Sequence, residues 1–295
     1  MLCNVKPLKR SLLLLLILST GCWAAHVEKD DSGRTVAIPD QIHRIVCLAP
    51  SLTDIVYALG AQGDLVGITD YTDYPPQAAR EKTSVGAIVN PSLERIVALH
   101  PDVVLALPAF NGRETIASLE RLNIPVVLFN TANLNDIYRN IAMVGRVSSR
   151  QRDAAALIAS LQARENAVRT QVAGKRRPGL LVVVTVAPLI TAGRSAFITE
   201  MISAAGGRSV TEDIPQDWLQ MDVESVLPRK PDYILLIQGG PVSLKMMQRQ
   251  AGMRSLEAVQ KGRIIIVDSR IQIPSPAAFD GLEDLARQLR SVQAH

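Results

Sequence analysis

Histidine and cysteine carry most metal and nucleophilic chemistry in proteins, and this 295-residue chain holds four of the first and three of the second. His26, His43, His100 and His295 never reach an HExxH spacing, and Cys3, Cys22 and Cys47 form no CxxC pair. A GxSxG elbow, a P-loop and a GxGxxG opening a helix after a strand are all missing. The chain is therefore expected not to be an enzyme and to need no cofactor. Cys47, inside the apolar run RIVCLA, reads as a small core residue rather than a reactive thiol. His100, before Pro101 at a helix end, reads as a surface residue suited to the local dipole.

The informative chemistry is a carboxylate written twice. PSLERIVALHPDVVL begins at Pro91 and MDVESVLPRKPDYIL at Met221, and Glu94 and Glu224, Pro101 and Pro231, and Asp102 and Asp232 are each 130 positions apart. In both copies a capping residue, Ser92 or Asp222, stands two before the Glu, and Pro ends a short helix ahead of a β-branched strand. A period this long excludes a solenoid, whose units run about 20–50 residues, and implies duplication of a whole lobe. A first-turn carboxylate is favoured by the helix dipole alone, by about 0.3–1 kcal/mol, so one Glu needs no further role. Two at equivalent points of a pseudo-symmetric molecule point to a shared task.

The elements that position this pair follow a βα rhythm. KDDSGRTVAIP reads as a turn at Asp31-Ser32-Gly33 leading into a short strand, an N-terminal hairpin. Strands are expected at 44–48, 65–68, 103–107 and 124–129, and helices near 92–99 and 113–121. A further helix is capped by Ser51 or Thr53 and stopped at Gly60. Residues 149–173, free of Gly and Pro, place Leu157, Ile158, Leu161, Val168 and Val172 largely on one stripe of a helix roughly 38 Å long, enough to join two lobes. A second series follows, with strands at 181–186 (LVVVTV), 232–237 and 263–268 and a closing amphipathic helix at 277–292. The fold class is α/β: two Rossmann-like lobes with mostly parallel sheets, at 25–147 and 175–295, bridged by one helix at 148–174.

Lys6, Lys9 and Arg10 ahead of the apolar run LLLLLIL make residues 1–24 a secretory leader, too short to span a bilayer. Two exits fit it: acylation of Cys22 in a lipobox-like LSTGC, or ordinary cleavage before Ala25. Without the leader, 29 of the 32 basic residues remain against 28 acidic ones, which removes the case for nucleic acid as a partner. An exported chain with no disulfide framework must rest on its hydrophobic cores, and 47% hydrophobic residues supply them.

Four segments, RIVCLAPSLTDIVYALGA, YTDYPPQA, NPSLERIVALHPDVVLA and DVESVLPRKPDYILL, together resemble the periplasmic substrate-binding proteins that serve ABC importers of cobalamin, haem and ferric siderophores, the cobalamin-binding members most closely. The resemblance implies two α/β lobes joined by a long helix, little hinge motion, a small-molecule ligand held in the inter-lobe cleft, and a monomer located in the periplasm. It implies that Glu94 and Glu224 dock onto arginines of the importer permease. For the ligand it implies Tyr71, with Tyr74 beyond it on the same loop, Trp218 six residues before Glu224, and Asp268 at the end of a strand. Ring faces and phenols suit a broad, flat, amide-fringed molecule.

Two positions depart from that pattern. Ile88 and Leu107 stand where the cobalamin members carry tryptophans, with Phe110 as a nearby substitute, so haem or a ferric siderophore stays open as ligand. Tyr71 or Tyr74 would then coordinate iron. A two-lobed chelatase- or transferase-like enzyme is the alternative of another class. Trp218 is expected on a loop, DIPQDWLQM, and Gly193-Arg194 either presents N–H groups and a guanidinium to an anionic group or makes a plain turn.

Overall fold

The computed structural model describes residues 25–293; the leader and Cys22 lie outside them. A hairpin of β1 (Ala25–Lys29) and β2 (Thr35–Pro39) is followed by β3 (Ile45–Cys47), α1 (Pro50–Ala58), β4 (Leu65–Ile68), α2 (Ala78–Glu81), β5 (Thr83–Ser84), α3 (Leu93–Ala98) and β6 (Val103–Ala106). Next come α4 (Pro108–Asn111), α5 (Arg113–Arg121), β7 (Val126–Leu128), α6 (Leu134–Val147) and the long α7 (Gln151–Val172). The second half runs β8 (Gly179–Val182), β9 (Thr185–Val186), β10 (Leu189–Ala192), α8 (Phe197–Ala204), β11 (Arg208–Ser209), β12 (Trp218–Met221), α9 (Val223–Val226) and β13 (Tyr233–Ile237). It closes with α10 (Leu244–Arg249), α11 (Glu257–Gln260), β14 (Ile264–Val267) and α12 (Ala278–Gln293).

Two parallel sheets organise these elements, one in each lobe. The first has the order β5-β4-β3-β6-β7 and the second β11-β8-β13-β14. Their strands are apolar on both sides, as sheets sandwiched by helices require: every residue of β3, β6, β7 and β8 is buried. The outer edge strand of each sheet is shielded by side chains from elsewhere. The guanidinium of Arg34 donates to the Val126 carbonyl (2.9 Å) beside β2, and Gln288 of α12 donates to the Ile266 carbonyl (2.9 Å). Such coverage blunts edge-to-edge pairing.

The duplicated unit does the same work in both sheets. Asp102 donates its N–H to the Arg44 carbonyl and accepts the Arg44 N–H on its carboxylate (2.8 and 2.9 Å). Asp232 does likewise with Gly179 (2.8 and 2.6 Å). Each Asp thereby fixes the register of its strand against the neighbouring β3 or β8. The residues preceding the two prolines, His100 and Lys230, both adopt left-handed backbone at φ 43.

α7 buries Ala154, Leu161 and Val168, seven residues apart, with Leu157, Ile158 and Val172 half-buried alongside. This stripe belongs to one continuous apolar core that reaches from Ile38 in the first lobe to Leu289 in the second. Polar ties follow the same seam. Arg164 of α7 pairs with Asp280 and Glu283 of α12, and Glu200 accepts the Leu134 N–H (2.9 Å). Hinge opening would break buried contacts, so the lobes are held as a pair.

Three local expectations are corrected. The first long helix begins at Pro50, capped from Ala49, and Ser51 and Thr53 lie buried inside it; a proline at the first helical position has no N–H to leave unpaired. The run LVVVTV divides, because the Val183 N–H bonds to Leu235 in the parallel sheet while the Val184 N–H turns to Ile190. Its last residues thus start a separate antiparallel sheet, β12-β10-β9. Trp218 is the first residue of a strand in that sheet, paired with Ala192, rather than part of a loop.

Candidate functional site

In open parallel sheets, ligands collect outside the carboxyl ends of the strands, where loops leave the sheet. Both sheets offer such an end toward the seam between the lobes. Tyr71 and Tyr74 follow β4, Phe110 sits on α4 directly after β6, Asp268 follows β14 without a gap, and Trp218 is carried on the antiparallel sheet that grows out of β8. Tyr71, Tyr74, Phe110 and Trp218 are 83, 36, 47 and 41% exposed, and among the described residues no other aromatic ranks among the exposed large hydrophobics. In a chain only 4% aromatic, leaving these four uncovered is costly unless something else covers them.

The tyrosine loop is fixed from below. The Thr72 hydroxyl donates to the Thr69 carbonyl (2.7 Å) and the Asp70 N–H bonds to the Gly86 carbonyl (2.8 Å). Tyr71 itself has a left-handed backbone, φ 61, which projects it from the loop. Tyr74 meets the opposite lobe, where the Arg270 guanidinium lies 5.0 Å from its ring centroid, within cation–π reach. Arg270 is held bidentately by Asp268 (2.8 and 3.1 Å) and also by Asp280 (3.2 Å). The hydrogen bond from Arg270 is the main reason the Asp268 carboxyl is held below its ordinary pKa. Asp268 is thus partly committed inside the protein.

Tyr71, Tyr74, Asp73 and Pro50 from the first lobe and Arg270, Ser269 and Ile273 from the second enclose a small cavity of about 80 Å³. An apolar hollow of about 120 Å³, between Val183, Val184, Leu236, Ile237 and Val242, lies at the strand ends of the second lobe. A wider concavity of about 600 Å³ lies on the other side of Tyr74, between the tyrosine loop and α7 at Leu157, Leu161 and Arg164, and shares Asp54, Tyr74 and Ala277 with the small cavity. The two small hollows lie at the strand ends, where ligands of open parallel sheets collect, and mark the candidate site. Phe110 and Trp218 line neither of them.

Arg194 is corrected. The Gly193 and Arg194 N–H groups are consumed by the Asp217 and Ile214 carbonyls (both 2.7 Å), and the guanidinium donates to the Glu212 and Asp213 carbonyls (both 2.8 Å). The turn reading holds: Arg194 clamps the loop that leads into Trp218. A Cβ at Gly193 would meet the Gln216 carbonyl at 2.4 Å, so only glycine lets this loop pack so closely. Leu107, one of the two positions that stand where the resemblance has tryptophans, is 4% exposed and part of the core, and Ile88, the other, is half-buried against that core.

Two residues escaped the sequence reading. Asn111, fully buried, accepts the Leu107 N–H (2.6 Å) and donates to the Leu48 and Ile88 carbonyls (2.9 and 2.8 Å), tying together three loops at the strand ends of the first lobe. Asp54 of α1 accepts the Ala277 N–H at the start of α12 (3.0 Å) and stitches the lobes beneath the cleft. Burial raises its pKa, against the opposing pull of a hydrogen bond with Ser275, the Ala277 N–H and the Arg270 charge. Cys47, buried and pushed up to about 12 by desolvation, is inert, as its apolar setting implied. Among the described residues no group of three or more His, Cys, Asp or Glu is placed to hold a metal ion, and no helix is long and apolar enough to cross a membrane.

A family model described as periplasmic binding protein matches residues 45–271. The vitamin B12-binding protein of Vibrio cholerae is 28% identical over 260 residues, covering 88% of this chain and 93% of the relative. The crystal structure of a periplasmic vitamin B12-binding protein from Vibrio cholerae superposes with a TM-score of 0.76 at 28% identity, over 87% of this chain and all of that one. A periplasmic haem-binding protein from Roseiflexus follows at TM-score 0.75 and 25% identity, over 83 and 97% of the two chains. An uncharacterized ABC transporter substrate-binding lipoprotein of Bacillus subtilis is 26% identical over 303 residues, covering 95% of each.

Proposed function

The chain belongs to the periplasmic binding protein family, and from that premise we propose that it captures cobalamin or a close corrinoid between its lobes and delivers it to an ABC importer. Membership makes it an extracytoplasmic binding protein rather than an enzyme. The observation that carries the ligand is the set of four exposed aromatics, Tyr71, Tyr74, Phe110 and Trp218, around the strand ends of both lobes. A corrin is wide and flat with an amide fringe, so rings and phenols bury its faces while retaining hydrogen bonds at its rim. Both Vibrio proteins reported above, named for vitamin B12, support the same choice. Asp268, with part of its carboxylate still exposed beside Arg270, is the polar contact for an amide edge.

Haem is the second reading, favoured by the Roseiflexus neighbour and by the exposed side chain of Tyr71. The absorbance spectrum of protein isolated from cells with its ligand bound separates the two: corrin bands support the first reading and a Soret band overturns it.

Delivery rests on Glu94 and Glu224, each the second residue of a short helix and each exposed. The Ser92 hydroxyl donates to Glu94 (3.1 Å), whereas Glu224 makes no side-chain hydrogen bond or ion pair among the described residues. Both carboxylates are available to charge-assisted contacts with a two-fold permease. Cys22 would tether the protein to the membrane as an acylated N-terminus; the mass of the N-terminal peptide distinguishes that form from a chain starting at Ala25.

A further inference from the structure

The repeated stretch carries more than its glutamates. Residues 93–100 and 223–230 follow one burial sequence position for position: half-buried, two exposed, one buried, two exposed, one half-buried, one exposed. The single buried anchor is Ile96 in one copy and Val226 in the other, both 0% exposed. Three residues after each Glu stands an aliphatic side chain left in solvent: Val97 at 36%, one turn on in α3, and Leu227 at 38%, the first residue of the 3-10 turn that continues α9. A short amphipathic helix would ordinarily place a polar residue there, as the neighbouring exposed positions Arg95 and Ser225 do.

We propose that Val97 and Leu227 are the apolar halves of two matched docking feet, Glu94–Val97 and Glu224–Leu227, that seat on the two equivalent subunits of a dimeric membrane permease. The inference rests on the docking reading of the two glutamates. One chain bears the same charged-plus-apolar pair twice at the same three-residue spacing, with Val97 inside α3 and Leu227 opening the 3-10 turn that continues α9, Asp102 and Asp232 clamped alike, and His100 and Lys230 both left-handed. A partner that recognises both feet must itself present one site twice, a cation beside an apolar hollow, which is the geometry of a two-fold dimer. The carboxylate guides approach and register, and the aliphatic group, desolvated on contact, slows release. The feet place their charges differently: Arg95 follows Glu94 directly in the N-terminal lobe, whereas Asp222 precedes Glu224 and the cations Arg229 and Lys230 come at the end of the stretch in the C-terminal lobe.

The test is binding of the full-length protein to its own organism's importer of this class, reconstituted in nanodiscs, with cyanocobalamin affinity and melting temperature as controls. Val97→Asn and Leu227→Asn are each expected to weaken docking about tenfold without changing its salt dependence, the ligand affinity or the melt. Glu94→Gln and Glu224→Gln should each weaken it and flatten the salt dependence. Val97→Ala and Leu227→Ala serve as milder variants if either asparagine lowers the melt. Asparagine variants that dock like wild type beside weakened glutamine variants overturn the apolar feet and leave the docking reading intact. A loss confined to one lobe overturns the pairing. Glutamine variants that dock like wild type, or a wild-type protein that does not dock, remove the docking reading and this inference together.

Discussion

The two lobes share a scaffold and differ in how they hold their binding surface. β4, β3, β6 and β7 of the first sheet correspond in order and direction to β11, β8, β13 and β14 of the second. The helix–turn–strand unit with its Asp clamp recurs 130 residues on. The first lobe carries Tyr71 and Tyr74 on the loop after β4, held by the Thr72–Thr69 and Asp70–Gly86 hydrogen bonds, and Phe110 on α4, braced through Asn111. The second inserts an antiparallel sheet between β8 and β13, carries Trp218 on its edge strand β12, and braces that strand through Gly193 and Arg194. Duplication preserved what fixes the fold and, on this account, what meets a symmetric partner; the side facing an asymmetric ligand diverged.

That contrast can be broken one lobe at a time. Asn111→Leu leaves the Leu107 N–H and the Leu48 and Ile88 carbonyls without their buried partner, so about 3 kcal/mol of stability should be lost, measured by urea unfolding, with weaker ligand binding through displaced first-lobe loops. Gly193→Ala should cost about 2 kcal/mol in the same assay and quench or shift the fluorescence of Trp218, because the Gln216 carbonyl must move away. Loop-bound tyrosines should be unaffected. Equal effects of the two substitutions on both lobes would contradict separate bracing.

Asp102→Ala and Asp232→Ala probe what the lobes share. Each removes a carboxylate accepting backbone N–H groups at a strand start, and each is expected to cost about 1–2 kcal/mol, with similar unfolding curves. A large disparity would sever the equivalence drawn between them.

The smallest expected effect concerns the seam. Asp54 has a raised pKa, so in the window just above its ordinary 3.8 the folded protein binds a proton that the unfolded chain does not. Lowering the pH through that window therefore adds stability at this site, while Asp268, with its lowered pKa, loses its contribution as the pH falls from around its ordinary 3.8 through its lower folded value, an opposite trend. Asp54→Asn should keep the hydrogen bond from Ala277 and flatten the pH dependence of the melting temperature in that window.

Much of this was legible in the sequence for a physical reason. Strands such as 65–68 and 103–107 announce themselves by local apolar runs, and the long helix at 151–172 by its lack of breakers. The 130-residue offset exposed the duplication without any structure. What stayed hidden depends on distant partners. Trp218 becomes a strand residue only because β10, 26 positions earlier, pairs with it at Ala192. Asn111 matters through carbonyls 63 and 23 residues away, and its only local trace is an Asn before Gly112. Arg270 reads as an ordinary surface cation until the fold sets it over Tyr74 of the other lobe.

The central claim is that the uncovered aromatics of two diverged lobes close on one corrinoid. Calorimetric titration of the purified protein with cyanocobalamin, and in parallel with haemin, tests it most directly. The account predicts one saturable site for cyanocobalamin at a submicromolar Kd, about −8 kcal/mol or better, weakened at least about tenfold by Trp218→Ala. Saturable binding of haemin with no heat from cyanocobalamin would contradict it.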